Sequence, residues 1–246
     1  MYEVINPESK ASVILLVEHA GAVIPTELNN LGLPVDQFQQ DPQMFYDPGS
    51  RDMALGIGQA LGLPIYCGKL SRLVVDLNRE DDHADVIKSR FHGRNIPGNQ
   101  NLSDADRQVR LDTYYKPFHT ALRDDLARRK AGGIPTKLIS IHSFNADVAF
   151  ATFPDLKREP VDIAVLYDEI SQLVDDFKLA IKPGNYAFKE NYPYDLSVMK
   201  TGSILQNKQL FGLDAVGIEI NAARLENPAE FTAIQSTLLQ AIKAVV

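Results

Sequence analysis

Four apolar runs in this chain end in ionisable or amide residues. They are Leu-Val-Glu18-His19-Ala-Gly21, Ser71-Arg72-Leu-Val-Val-Asp76-Leu-Asn78-Arg79, Ile-Ser-Ile-His142-Ser-Phe and Gly217-Ile-Glu219-Ile-Asn221. Each run reads as a buried strand. Desolvating a charged group is costly unless it is paired or bound to a metal. An open α/β sheet offers ligands the ends of its strands. The pattern therefore calls for a sheet whose strand ends converge on one polar site.

Strand-like and helix-like segments alternate along the chain. Ala11–Val17, Leu63–Cys67, Leu73–Leu77, Thr136–Ile141, Val161–Tyr167 and Leu213–Ile220 read as strands. Arg51–Leu61, Glu169–Ile181 and about Ala229 to Ala244 read as helices. A longer helix from about Ala105 to Lys130, bent or interrupted at Pro117, follows the cap Leu102-Ser103-Asp104 and stops at Gly132-Gly133. Glu80 to Asn101 reads as a long loop. The alternation predicts a three-layer α/β fold: a mixed, mostly parallel central sheet with helices on both faces. No repeat or linker divides it, so residues 1–246 are expected to form one domain.

A net charge of −7 lacks the basic footprint that nucleic-acid binding needs. No apolar run approaches the ~20 residues that span a bilayer. The first residues, Met-Tyr-Glu-Val-Ile-Asn-Pro, lack a basic start followed by an apolar core, so the cytoplasm is the expected compartment. One cysteine, Cys67, forms no intrachain framework and reads as a small buried apolar residue. Phosphate-binding glycine loops, a Gly-x-Ser-x-Gly elbow and His-Glu-x-x-His are all missing.

His19 and His142 follow strands distant in sequence, and neutral imidazole is a common zinc ligand. A third ligand would come from Glu18, Asp47, Asp52 or Asp76. Asp47 also reads as a helix cap. Glu18 points away from its neighbour His19 on an extended chain and is expected to pair with an arginine. His83, His92 and His119 sit in polar contexts and are expected at the surface, although His83 and His92 lie in the long loop and could reach a substrate. Glu219 needs a cation, a metal or a proton; near a metal it can act as acid and base, and otherwise it pairs with Arg224 or another arginine. Arg72, Arg79 and Asn78 suit an anionic substrate, arginine matching a carboxylate with two hydrogen bonds. Alternatively, one arginine neutralises Asp76 or Glu219.

Taken in order, Glu18-His19-Ala-Gly21, Asp47-Pro-Gly49, Ser71-Arg72-Leu-Val-Val-Asp76-Leu-Asn78-Arg79, Ser140-Ile-His142-Ser143-Phe, Asn191-Tyr-Pro-Tyr194 and Gly217-Ile-Glu219-Ile resemble the motifs of the N-formylglutamate amidohydrolase family. The resemblance runs from roughly residue 12 to residue 225. That family is similar in fold to zinc carboxypeptidases and N-acetylmuramoyl-alanine amidases. It implies zinc held by His19, Asp47 and His142, with Glu219 in the acid/base position. It also implies a small anionic N-acyl amino acid as substrate, N-formyl-L-glutamate being the prototype. The alternatives are an amidase on peptide or cell-wall fragments and a non-catalytic binder of small acidic ligands. Family members usually carry Pro where this chain has Glu18, and often Ser-Phe-Thr-Pro where it has Ser143-Phe-Asn145-Ala.

Overall fold

A computed structural model describes residues 1–152, 156, 158–181 and 186–246. Its centre is a seven-stranded sheet in the order β1-β3-β2-β6-β9-β7-β8. The strands are β1 (Tyr2–Ile5), β2 (Val13–Val17), β3 (Ile65–Gly68), β6 (Lys137–Phe144), β7 (Ile163–Leu166), β8 (Phe188–Glu190) and β9 (Asp214–Asn221). A separate two-stranded ribbon pairs β4 (Arg90–Phe91) with β5 (Arg94–Asn95). Pairs β2/β3, β2/β6, β6/β9 and β7/β8 are parallel; β1/β3 and β7/β9 are antiparallel. The sheet is thus mixed and mostly parallel, as expected.

Period-two alternation divides the core. Val13, Leu15 and Val17 of β2, Ile139 and Ile141 of β6, and Val216, Ile218 and Ile220 of β9 face one helical layer. That layer contains α1 (Ser50–Leu61), α3 (Gln172–Ile181) and α5 (Pro228–Lys243). Ile14, Leu16, Leu138 and Ala215 face the other layer, which holds α2 (Lys116–Ala131) and α4 (Ser203–Phe211). All five β2 side chains are buried. Burying each Val, Leu or Ile is worth ~1.5–3 kcal/mol, enough to fix the register of a central strand.

Register then places the polar strand ends. Leu16 pairs with Ser140 and His142 with Glu219. Continuing by two residues, Glu18, His142 and Glu219 stand side by side on the sheet face that α4 covers.

Four local differences from the sequence reading have physical causes. Leu73–Leu77 is not a strand: it is turn and coil. Its leucines and valines are buried against the second core rather than paired in a ladder. β6 continues beyond Ile141, so His142 and Ser143 lie inside it. The edge strand β1 was hidden by its short, half-polar sequence Tyr-Glu-Val-Ile. Ser103 does cap the long helix, which begins at Asp104–Arg110 and widens through a π turn at Leu111–Tyr115. That π turn immediately precedes Lys116 and Pro117 and takes up the proline without breaking the helix.

Candidate metal centre

His19 leaves the end of β2, and its backbone carbonyl accepts the Asp47 N–H at 2.9 Å. Asp47 is not a helix cap. The turn before α1 is closed by Ser50, whose Oγ donates to the Asp47 carbonyl at 2.8 Å, and by Gly49 at φ 79°. A side chain at Gly49 would be strained there. The backbone of Asp47 is thereby fixed, and its carboxylate turns inward, 2 % exposed.

His19, Asp47 and His142 each offer a donor atom, and these atoms lie within 4.8 Å of one another. His142 Nδ1 is 2.7 Å from Asp47 Oδ2, and His19 Nδ1 is 3.5 Å from the same oxygen. The far nitrogen of each ring is held by other groups. His19 Nε2 lies 2.6 Å from Asp76 Oδ1, and Asp76 also takes Lys88 Nζ. His142 Nε2 lies 2.8 Å from Ser140 Oγ, which gives its proton to Glu18 Oε2 at 2.7 Å.

This network assigns the ring protons. Asp76 is an acceptor, so His19 carries its proton on Nε2. Ser140 has one proton and spends it on Glu18, so it accepts from His142 Nε2–H. Asn78 Nδ2 stands farther from that nitrogen, at 3.3 Å. Both Nδ1 lone pairs then converge on a carboxylate oxygen. His19 Nδ1 is buried with no hydrogen-bond partner. With these tautomers three acceptors face one another, and two imidazoles and a carboxylate form a zinc-type ligand set. The partners of the outer nitrogens are those that orient metal-bound histidines. The residues present therefore fit a divalent metal.

The surrounding charges support this. Burial, helped by Arg72, pushes His19 down to about 3, so it is neutral at pH 7. Burial opposes the Asp76 charge, yet Lys88 and His19 hold its carboxyl well below the usual range. Burial raises Glu219 against the pull of His142, Tyr194 and Arg72. Glu219 Oε1 accepts from Tyr194 Oη at 2.5 Å, while Oε2 is buried and unpartnered.

Other expectations resolve differently. Glu18 has no arginine partner among the described residues; it accepts from Ser140 and Ser203 and lies 3.4 Å from His142 Nε2. Asp52 is exposed on α1, away from the cluster. Arg224 pairs with Asp162 and Glu230, leaving Glu219 to the cavity. Arg72 pairs with Asp47 rather than with Asp76 or Glu219, and its Nε is buried without a partner. Asn78 is largely spent within the fold, its Oδ1 accepting Ser203 N–H at 2.9 Å. His119 is buried, not exposed, and donates to the Leu77 carbonyl at 3.0 Å. His92 bonds Asp41 and lines the cavity, whereas His83 caps a turn through Asp85 N–H. Cys67 is buried as expected, its thiol pushed up to about 12 by burial. Sequence reasoning did not single out Lys88, Tyr194 or Ser203; the Asn191-Tyr-Pro-Tyr194 motif was the available signal for Tyr194.

The mixed α/β sheet thus carries a histidine–carboxylate cluster that could hold a metal ion. The chain belongs to the N-formylglutamate amidohydrolase family, whose family model matches residues 11–225. It is similar to the gene product Atu2144 from Agrobacterium tumefaciens, with 27% identity and a TM-score of 0.85 over 99% of this chain and 95% of that one. The N-formylglutamate amidohydrolase from Ralstonia eutropha JMP134 shares the fold at 17% identity, with a TM-score of 0.72 over 98% and 94% of the two chains. A metallo-carboxypeptidase from Burkholderia cenocepacia aligns at 13% identity over 95% of this chain and 57% of that one, and its TM-score of 0.36 is too low to bear on function. No curated protein matches the chain. Among the described residues no helix is long and apolar enough to cross a membrane.

Proposed function

We propose that the protein is a zinc-dependent amidohydrolase that cleaves the amide of a small N-acylated amino acid, N-formyl-L-glutamate being the family prototype. The convergence of the His19 and His142 Nδ1 atoms on Asp47 supports this most directly. His19, Asp47 and His142 would hold the metal. When bound, such an ion polarises the acyl carbonyl and lowers the pKa of a water. Glu219 faces the same cavity with one free carboxylate oxygen. It takes a proton from the attacking water as the oxygen bonds to the acyl carbon. It returns that proton to the nitrogen as the C–N bond breaks, giving a carboxylic acid and a free amine. The Tyr194 hydroxyl holds the other Glu219 oxygen and fixes its direction. Arg79 lines the cavity as a donor to substrate oxygens, with Arg72, paired to Asp47, beside it.

The test is hydrolysis of N-formyl amino acids by metal-stripped and zinc-reconstituted protein, with formate and amine both measured. Turnover that returns with zinc and is lost in His142→Ala supports the assignment. Tight ligand binding without turnover in zinc would identify a binding protein instead.

A further inference from the structure

The cavity over the candidate metal centre has a charge count that limits its substrate. Three cations line it: Arg72, Arg79 and Lys88. Arg72 is paired with Asp47 and Lys88 with Asp76. Arg79 donates at 2.8 Å to the Asn78 carbonyl, and among the described residues it forms no ion pair. Three carboxylates line the cavity, Asp47, Asp76 and Glu219, and a fourth, Glu18, lies directly behind His142. A divalent ion turns this excess of one negative charge into an excess of one positive charge. One substrate carboxylate balances it.

The rest of the wall adds no further cation: Gln43, Asn78, Ser143 and Asn145 are neutral, and burial lowers the pKa of His92. Phe91, Phe144, Val148, Ala149, Pro193 and Met199 line the cavity with apolar surface. Phe91 also covers the two committed cations, its ring 5.8 Å from the Arg72 guanidinium and 5.4 Å from Lys88 Nζ. A dicarboxylate would leave one charge with no unpaired cation to meet it. Otherwise it would pull Arg72 from Asp47 or Lys88 from Asp76 and break a buried ion pair. Either outcome costs more than burying an apolar side chain, which gains free energy there.

We infer that the substrate is a singly charged N-acyl amino acid with an apolar side chain, its α-carboxylate on Arg79 and its side chain against the Phe91–Phe144–Met199 wall. This rests on the proposed amidohydrolase reading and departs from the doubly charged family prototype.

The experiment compares kcat/KM for N-formyl-L-leucine, N-formyl-L-glutamine and N-formyl-L-glutamate on the zinc-reconstituted protein. Glutamine and glutamate differ in charge at nearly constant shape, so the pair separates charge from fit. The expected order is leucine, then glutamine, then glutamate, with leucine ahead of glutamate by about tenfold or more. Met199→Lys, which adds a cation to the wall, narrows that gap. Glutamate equal to or better than glutamine and leucine overturns the inference. Absence of turnover on all three overturns the amidohydrolase reading instead. Calorimetric binding of the same three compounds then decides the inference: leucine tighter than glutamate supports it, and the reverse order overturns it.

Discussion

The Glu18 carboxylate lies 3.4 Å from His142 Nε2, on the side of the ring opposite Asp47. It is 1 % exposed and is held by the hydroxyls of Ser140 and Ser203. A buried carboxylate behind an imidazole makes its other nitrogen a stronger donor, and loss of such partners typically costs 10–100-fold in metal affinity. Glu18→Gln keeps the volume and one of the two acceptor oxygens but removes the charge. Competition titration should show zinc binding weakened by about tenfold or more, with the far-ultraviolet circular dichroism unchanged. Unchanged affinity would mean that Glu18 only braces α4.

Glu219→Gln should leave zinc binding within a few-fold of wild type and lower kcat by ~10²–10⁴, the range of general acid–base catalysis. KM should change little. Tyr194→Phe frees the Glu219 Oε1 atom and should cost less than Glu219→Gln. A Glu219→Gln protein with full kcat would remove Glu219 from the reaction.

His119 is buried, stacked on Tyr115 with ring centroids 4.1 Å apart, and held by burial at a pKa of about 3. Its unfolded pKa is ~6.5. Because the folded value is the lower, the unfolded chain binds more protons between these limits. The contribution to stability is present above pH 6.5 and is lost as pH falls toward 3, by up to ~1.4 kcal/mol per unit. Denaturant titrations at pH 7 and pH 4.5 should show a larger loss for wild type than for His119→Gln, which retains a donor toward the Leu77 carbonyl. Equal losses would place the titration elsewhere.

Gly68, at the end of β3, has no room for a methyl group: a Cβ there would overlap the Glu18 carbonyl and the Leu77 side chain. The obstacle on one side is backbone, which cannot swing aside. Gly68→Ala should cost ~1–3 kcal/mol and, by displacing the β2 end, weaken zinc binding as well. Thermal unfolding with and without zinc separates the two effects.

Much of this site could be read from residue order, because parallel strands place the ends of distant apolar runs together. His19, His142 and Glu219 were located that way. Asp47 was ambiguous between cap and ligand because both roles sit just before a helix. Only Ser50 and Gly49, which close the turn, free its carboxylate. Leu73–Leu77 imitated a strand because burial, not pairing, explains its apolar residues. His119 looked exposed because its helix is rich in charge, yet its face packs on Leu77 and Tyr115. The pairing of Arg72 with Asp47, and of Lys88 with Asp76, depends on loop geometry that no spacing encodes.

The central claim is that His19, Asp47 and His142 hold one catalytic metal. Equilibrium zinc binding followed by metal analysis, on wild type and on His19→Ala/His142→Ala, tests it most directly. The account predicts one tightly bound zinc per wild-type chain, none in the double variant, and hydrolysis that follows occupancy. Equal zinc content in the two proteins, or hydrolysis by the metal-free chain, would contradict it.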